Sequence, residues 1–203
     1  MSRLTSKPPS ELEIMGARYA INDHYVNALL TWDAFQAAAD GEISGYAAAV
    51  VATDNMFRAP LPPICDETVK AIAAYLEAYS RTGKGDGKDS HPPLLSIEQD
   101  GQMIYDAILA AGVDLDSERV TYPRFMSLLR EIPKDCQLCR VIYLRQQHRA
   151  NKLTKEERME CYRRGWDVIK LRSRKQQRDA EDNRAHFKKK QDELRAAMGL
   201  PPL

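Results

Sequence analysis

The stretch from Ser96 to Leu171 most constrains the fold, because four helical patterns follow one another there with start and stop signals and little slack between them. Ser96-Ile97-Glu98-Gln99 has the form of a capping box, in which the serine hydroxyl satisfies a free amide of the first turn and Gln99 reaches back to the cap. Met103, Ile104, Ala107, Ile108 and Ala111 then repeat at helical spacing, and Gly112 closes the segment in the left-handed conformation that glycine takes without strain. After the Val113 to Val120 turn, Thr121 is the predicted cap of a second helix, with Pro123 in its first turn. Its stripe is Phe125, Leu128, Leu129 and Ile132, and Pro133 stops it. Asp135 is the predicted cap of a third helix carrying Leu138, Val141 and Ile142 to about Gln147. Thr154-Lys155-Glu156-Glu157 is another capping box. It opens a fourth helix whose Met159, Tyr162, Trp166 and Ile169 alternate steps of three and four, which reads as a single partner-binding seam.

The residues ahead of this stretch read as a partner layer. Glu11 to Asn22 alternates Leu12 and Ile14, then Tyr19 and Ile21, around Met15-Gly16-Ala17, the pattern of a short β-hairpin. Asn22 or Asp23 is placed to cap a helix with Tyr25, Ala28, Leu29, Trp32 and Phe35 on one face, and Trp32 in phase with that stripe reads as a core anchor. Ile43 to about Asn55 gives an alanine-rich helix. Pro60, Pro62 and Pro63 force an extended turn, and Asp66 starts a helix bearing Val69, Ile72, Leu76 and Tyr79. Gly83-Lys84-Gly85-Asp86-Gly87-Lys88-Asp89 followed by Pro92-Pro93 is the clearest linker, too poor in apolar surface to order itself.

No apolar run approaches the roughly 20 residues needed to span a bilayer, and Met1 to Ser10 is polar with no apolar segment behind it, so neither a membrane span nor a cleavable leader is expected. Charge is unevenly spread. Residues 1–130 hold 11 Lys and Arg against 18 Asp and Glu, while residues 131–203 hold 19 against 11. Such asymmetry suits an acidic partner, a nucleic acid or head-to-tail self-association, and equally a solvated helix face. Beyond Arg172, Ala180, Phe187 and Leu194 recur at intervals of seven, with Met198 four further on. This makes one narrow seam on a charged helix read as continuing the fourth, wide enough for a single partner helix.

Chemistry-bearing patterns are sparse. The glycine-rich linker lacks the preceding strand, following helix and Gly-Lys-Ser/Thr ending of a phosphate cradle. Cys136 and Cys139 share a helix face, but a zinc tetrahedron would have to be completed by His148 and Cys161, which have no ligand spacing. Asp114-x-Asp116 is explained by a turn. No nucleophile has an evident base and no cofactor fingerprint is present, so a non-catalytic binding protein without metal or cofactor is expected.

A resemblance adds to this reading. Asp100, Ile104-Tyr105-Asp106-Ala107, Gly112-Val113-Asp114-Leu115, Tyr122 to Phe125, Leu128-Leu129, Ile132-Pro133 and Lys134-Asp135 resemble, in order and spacing, the phage gene-product-fifteen family. Arg145, Leu153 to Arg158 and Tyr162-Arg163-Arg164 complete the run, with echoes at Leu12-Glu13-Ile14 and Tyr19 to Asn22. The resemblance implies a tail-assembly chaperone that binds and solubilises the tape-measure protein and assists tail-tube assembly. It also implies action in the host cytoplasm, absence from the mature virion, and contact with the tail-tube protein or a companion chaperone. The alternative is a nucleic-acid-binding phage accessory protein using the basic C-terminal end. There, however, only Phe187 could stack on a base and acids interrupt every basic cluster. A small zinc protein ranks third. The expected fold is mainly α: a hairpin plus helices over 1–81, a flexible linker over 82–95, a four-helix central region over 96–171 and a charged helical tail over 172–203. Partner-binding residues are Met159, Tyr162, Trp166, Ile169, Phe187 and Leu194.

Overall fold

The computed structural model describes residues 8–80, 94–171 and 188–192. Its elements are β1 (Glu11–Ile14), β2 (Ala17–Ala20), α1 (Tyr25–Ala39), α2 (Gly45–Met56), α3 (Asp66–Ser80), α4 (Ile97–Ala110), α5 (Tyr122–Glu131), α6 (Gln137–Arg149), α7 (Lys155–Arg164) and α8 (Trp166–Ile169). The fold is mainly helical with one small antiparallel hairpin, as the sequence pattern requires. Two compact units divide it. One holds Met1–Pro92 with Ile104–Pro133, the other Pro93–Met103 with Lys134–Leu203.

In the first unit β1 and β2 pair with Glu11 opposite Ala20 and Ile14 opposite Ala17. Met15 and Gly16 both have positive φ, 52° and 78°, the conformation a two-residue hairpin loop needs to match strand twist. Ile14, Ile21, Ala28, Ala52, Met56, Phe57, Ile72, Tyr75, Leu76 and Tyr122 form the core. Neither Asn22 nor Asp23 caps α1. His24 occupies the cap position without a side-chain bond, because a short bridge to Thr121 supplies the backbone partners, with Tyr122 N–H donating to Asp23 O at 2.7 Å. The Asp23 carboxylate is thereby left to Arg119, 3.2 Å away.

The buried face of α1 is Ala28, Thr31, Ala34 and Ala37, rotated from the expected stripe. It packs on α2, which buries Ala48, Ala49 and Ala52, so small residues fill this contact where large ones were expected. Trp32 is in consequence a rim residue, 37% exposed. Its indole N–H donates to Tyr122 Oη at 3.2 Å, and that hydroxyl donates in turn to Leu76 O at 3.2 Å. Gly112, at φ 88°, ends α4 as expected. Beyond it Asp114 and Asp116 form a turn latched by Tyr105, whose hydroxyl donates to both carboxylates at 3.1 and 3.0 Å. Thr121 and Pro123 begin α5 in the predicted places, although the Thr121 side chain makes no cap bond.

In the second unit the Ser96 hydroxyl accepts the Gln99 amide at 3.2 Å, but the reciprocal arm comes from Asp100, which accepts Ser96 N–H at 2.9 Å. Gln99 instead donates to Asp167 O and Lys170 O at 2.7 and 3.2 Å. The Thr154–Glu157 capping box forms in both directions. Cys136, not Asp135, caps α6. A single fourth helix running through Leu171 is not observed. Gly165, at φ 91°, stops α7, four residues of α8 follow, and Lys170 is extended. Glycine alone takes that backbone conformation cheaply, so the helix breaks where the apolar spacing alone predicted continuity. The linker 82–95 and the tail 172–203 lie outside the described residues except for 94–95 and 188–192, the latter helical.

Candidate partner-binding surface

The break at Gly165 sorts the predicted seam into separate places. On α7 the residues turned inward are Glu157, Glu160, Cys161 and Arg164, spaced as one helix face. Met159 and Tyr162 stand on the opposite face, 51% and 72% exposed. Trp166 is half-buried, its ring 5.3 Å from that of His148 and 5.7 Å from the Lys170 ammonium. Ile169 is 2% exposed and packs with Val141, Leu144 and Cys161. One pair is therefore available to a partner, one residue is marginal and one belongs to the core. Phe187 and Leu194 lie outside the described residues.

The inward face of α7 is held mostly by charge. Arg140 on α6 donates to both Glu160 oxygens, the shortest contact 2.5 Å, and Arg164 donates to Glu160 at 2.9 Å. The Arg140 hydrogen bonds, aided by Arg164, pull the Glu160 carboxyl down to about 2. Glu157 is also lowered, first by the Thr154 backbone N–H and then by the Tyr143 hydroxyl. Arg140 lies 5.1 Å over the Tyr143 ring. Because these pairs orient α7, Met159 and Tyr162 face outward with Lys155 at the same helical spacing.

The segment after Gly165 is positioned by a group that sequence reasoning named without assigning it a role. Arg145 is 3% exposed, and its guanidinium donates to Asp100 at 2.6 and 2.7 Å, to Leu94 O at 3.0 Å and to Val168 O at 2.6 and 3.2 Å. Those contacts use all the N–H donors an arginine has. The available signal was the phase of Arg145, four residues after Val141 and seven after Leu138 on the stripe that α6 buries.

Among the described residues no group of three or more His, Cys, Asp or Glu could hold a metal ion, and no helix is long and apolar enough to cross a membrane. A family model described as Bacteriophage Gp15 protein matches residues 4–165. That range takes in Met159 and Tyr162 and stops at the glycine that ends α7. No curated protein and no solved structure matches the chain.

Proposed function

The chain belongs to the bacteriophage Gp15 protein family, a family of phage structural or assembly-related proteins, and from that premise we propose that it is a non-catalytic tail-assembly chaperone. It binds the tape-measure protein, keeps its long helices soluble and assists assembly of the tail tube. The observation that carries this reading is the family match over residues 4–165. The outward pair Met159 and Tyr162 supports it, since residues at i and i+3 on an exposed helix are the anchors with which one helix docks on another. Both are residue types enriched at interfaces. The tail-tube protein, a companion chaperone or a second copy of this chain are further partners on the same reading. It acts in the host cytoplasm and leaves before the virion is complete.

Co-expression with the cognate tape-measure protein tests the proposal. The expected result is a soluble complex that co-purifies, where the tape-measure protein alone precipitates. Unchanged solubility and no co-purification overturn it. Titration with duplex and single-stranded DNA at rising salt separates the nucleic-acid alternative, which requires tight binding that falls steeply as counterions compete. Only weak, non-specific retention is expected.

A further inference from the structure

Cys136 stands at the N-cap of α6 and Cys139 in its first turn, and the Cys136 sulfur accepts the Cys139 backbone N–H at 3.4 Å. Burial first, and then a hydrogen bond to the Cys136 side chain, push the Cys139 thiol up. Both residues are free and half-buried. They border an open cleft that Lys134, Arg140 and Arg164 also line, with Asp135 the opposing charge. Sulfur is a weak acceptor, and the usual caps are Ser, Thr, Asn and Asp. Asp135 stands one residue away, yet the thiol holds the cap. Zinc does not account for the pair, because no further ligands gather around it among the described residues.

We propose that Cys136 and Cys139 are a redox-active dithiol, oxidised reversibly to an intramolecular disulfide by low-molecular-weight disulfides, with Cys136 the attacking sulfur and Cys139 the resolving one. The Cys136 sulfur sits at the N-cap of α6 and accepts the Cys139 backbone N–H at 3.4 Å, which places the second cysteine of the pair within the same first turn, where it can act as the resolving one. The Cys136 thiolate attacks one sulfur of the incoming disulfide. A mixed disulfide forms, the incoming S–S bond breaks, and the departing thiolate takes up a proton. Cys139 then loses its proton and attacks the Cys136 sulfur, releasing the second small thiol. Two protein thiols are oxidised and one small disulfide is reduced to two thiols. With the Cys136 sulfur 3.4 Å from the Cys139 amide nitrogen and the two residues three apart at the start of one helix, closing the about 2.05 Å S–S bond asks for movement of side chains within a single turn. Lys134 lines the cleft beside Arg140 and Arg164, which share the Glu160 carboxylate, and this balance admits a disulfide bearing carboxylates, such as glutathione disulfide. Cys161 is fully buried, out of reach of a small disulfide, and Cys65 is hydrogen-bonded to Thr68 and has no cysteine beside it in its own helical turn.

The test equilibrates the full chain in glutathione buffers of graded poise, quenches with acid, then unfolds and alkylates it for peptide mapping. Cys136 and Cys139 are expected to lose alkylation together at one midpoint, with no glutathione retained, while Cys65 and Cys161 stay alkylated. Cys139→Ser should accumulate one glutathione on Cys136. Cys136→Ser, whose hydroxyl still caps the helix, should label Cys139 at least about tenfold more slowly, a difference near 1.4 kcal/mol in barrier. Circular dichroism confirms that both variants are folded. The proposal is overturned if both thiols remain alkylatable in the most oxidising buffer, if the wild type retains glutathione, or if Cys65 reacts as fast as Cys136.

Discussion

Arg145 and Asp100 form a two-point ion pair in which both side chains are almost fully buried, 2% and 0% exposed. Neither charge could stay there alone. Desolvating an ion costs several kcal/mol, which only good geometry and additional hydrogen bonds offset. Here the backbone carbonyls of Leu94 and Val168 take the remaining donors, and Asp100 also accepts the Ser96 amide. The pair thus joins the start of α4, the middle of α6 and the short α8 into one arrangement, which carries Ile169 into the core of the second unit.

Breaking one side of this pair leaves an uncompensated buried charge. Asp100→Asn and Arg145→Met should each lower stability by about 3–5 kcal/mol. Replacing both should cost less than the sum of the two, by about 0.5–3 kcal/mol. Denaturant unfolding of the four proteins in the cycle measures this, and strictly additive losses would show that the two residues do not act as a pair.

Gly165 separates two readings of the same apolar spacing. Its φ of 91° and ψ of 132° lie where a side chain is strained, and a Cβ would meet Asp167 Oδ1 at 2.5 Å. The carboxylate can swing away, but the backbone strain stays. Gly165→Ala should therefore destabilise by about 1–3 kcal/mol. Were residues 155–171 one helix, the same change would stabilise by roughly 1 kcal/mol, the helix preference of alanine over glycine. The sign of the shift in melting temperature decides between them.

Helix existence was legible in this sequence because each helix carries its own local punctuation. Pro123 at the first turn, Gly112 in the left-handed region and the Thr154–Glu157 box all act within four residues, and all are found where predicted. Faces were less legible. Trp32 and Phe35 appeared to mark the inner side of α1, and Phe35 does pack against the core, yet alanines on both α1 and α2 fill the helix contact and leave Trp32 at the rim. The Met159 to Ile169 stripe failed for a related reason. Period alone cannot register a break that one glycine imposes, nor that Arg140, twenty residues away, holds the polar side of α7 inward. The Asp100 to Arg145 pairing spans 45 residues, beyond the reach of local pattern.

The ion pairs of Glu160 also set an acid dependence. With its folded value near 2 and an unfolded value near the ordinary ~4.3 of a glutamate, Glu160 contributes stability that is present above about pH 4.5 and lost as pH falls toward 2. Glu160→Gln should be less stable than wild type at neutral pH, with the difference closing across that window. Glu157 and Asp114, also lowered, keep some acid sensitivity in the variant. Melting temperatures of both proteins between pH 2 and 7 measure the gap, and a gap constant with pH would mean that Arg140 does not set the Glu160 ionisation.

Met159 and Tyr162 differ from Ile169 in what covers them, and that difference is measurable. Ile169 fills a core shared with Val141, Leu144 and Cys161, so Ile169→Ala should cost about 2–5 kcal/mol of stability. Trp166, half-covered, should lose less on Trp166→Ala than the about 3–5 kcal/mol of a fully buried tryptophan. Met159→Ser and Tyr162→Ser change side chains already mostly in water, and each should leave stability within about 0.5 kcal/mol. If the outward face of α7 is where a helix docks, the double serine variant should lose retention of the tape-measure protein at least about tenfold, a loss of ~1.4 kcal/mol. Unfolding curves and a pull-down on each variant give both numbers. A double variant that is fully stable and still binds at wild-type strength removes α7 from the interface, leaving the family membership intact and the docking face elsewhere.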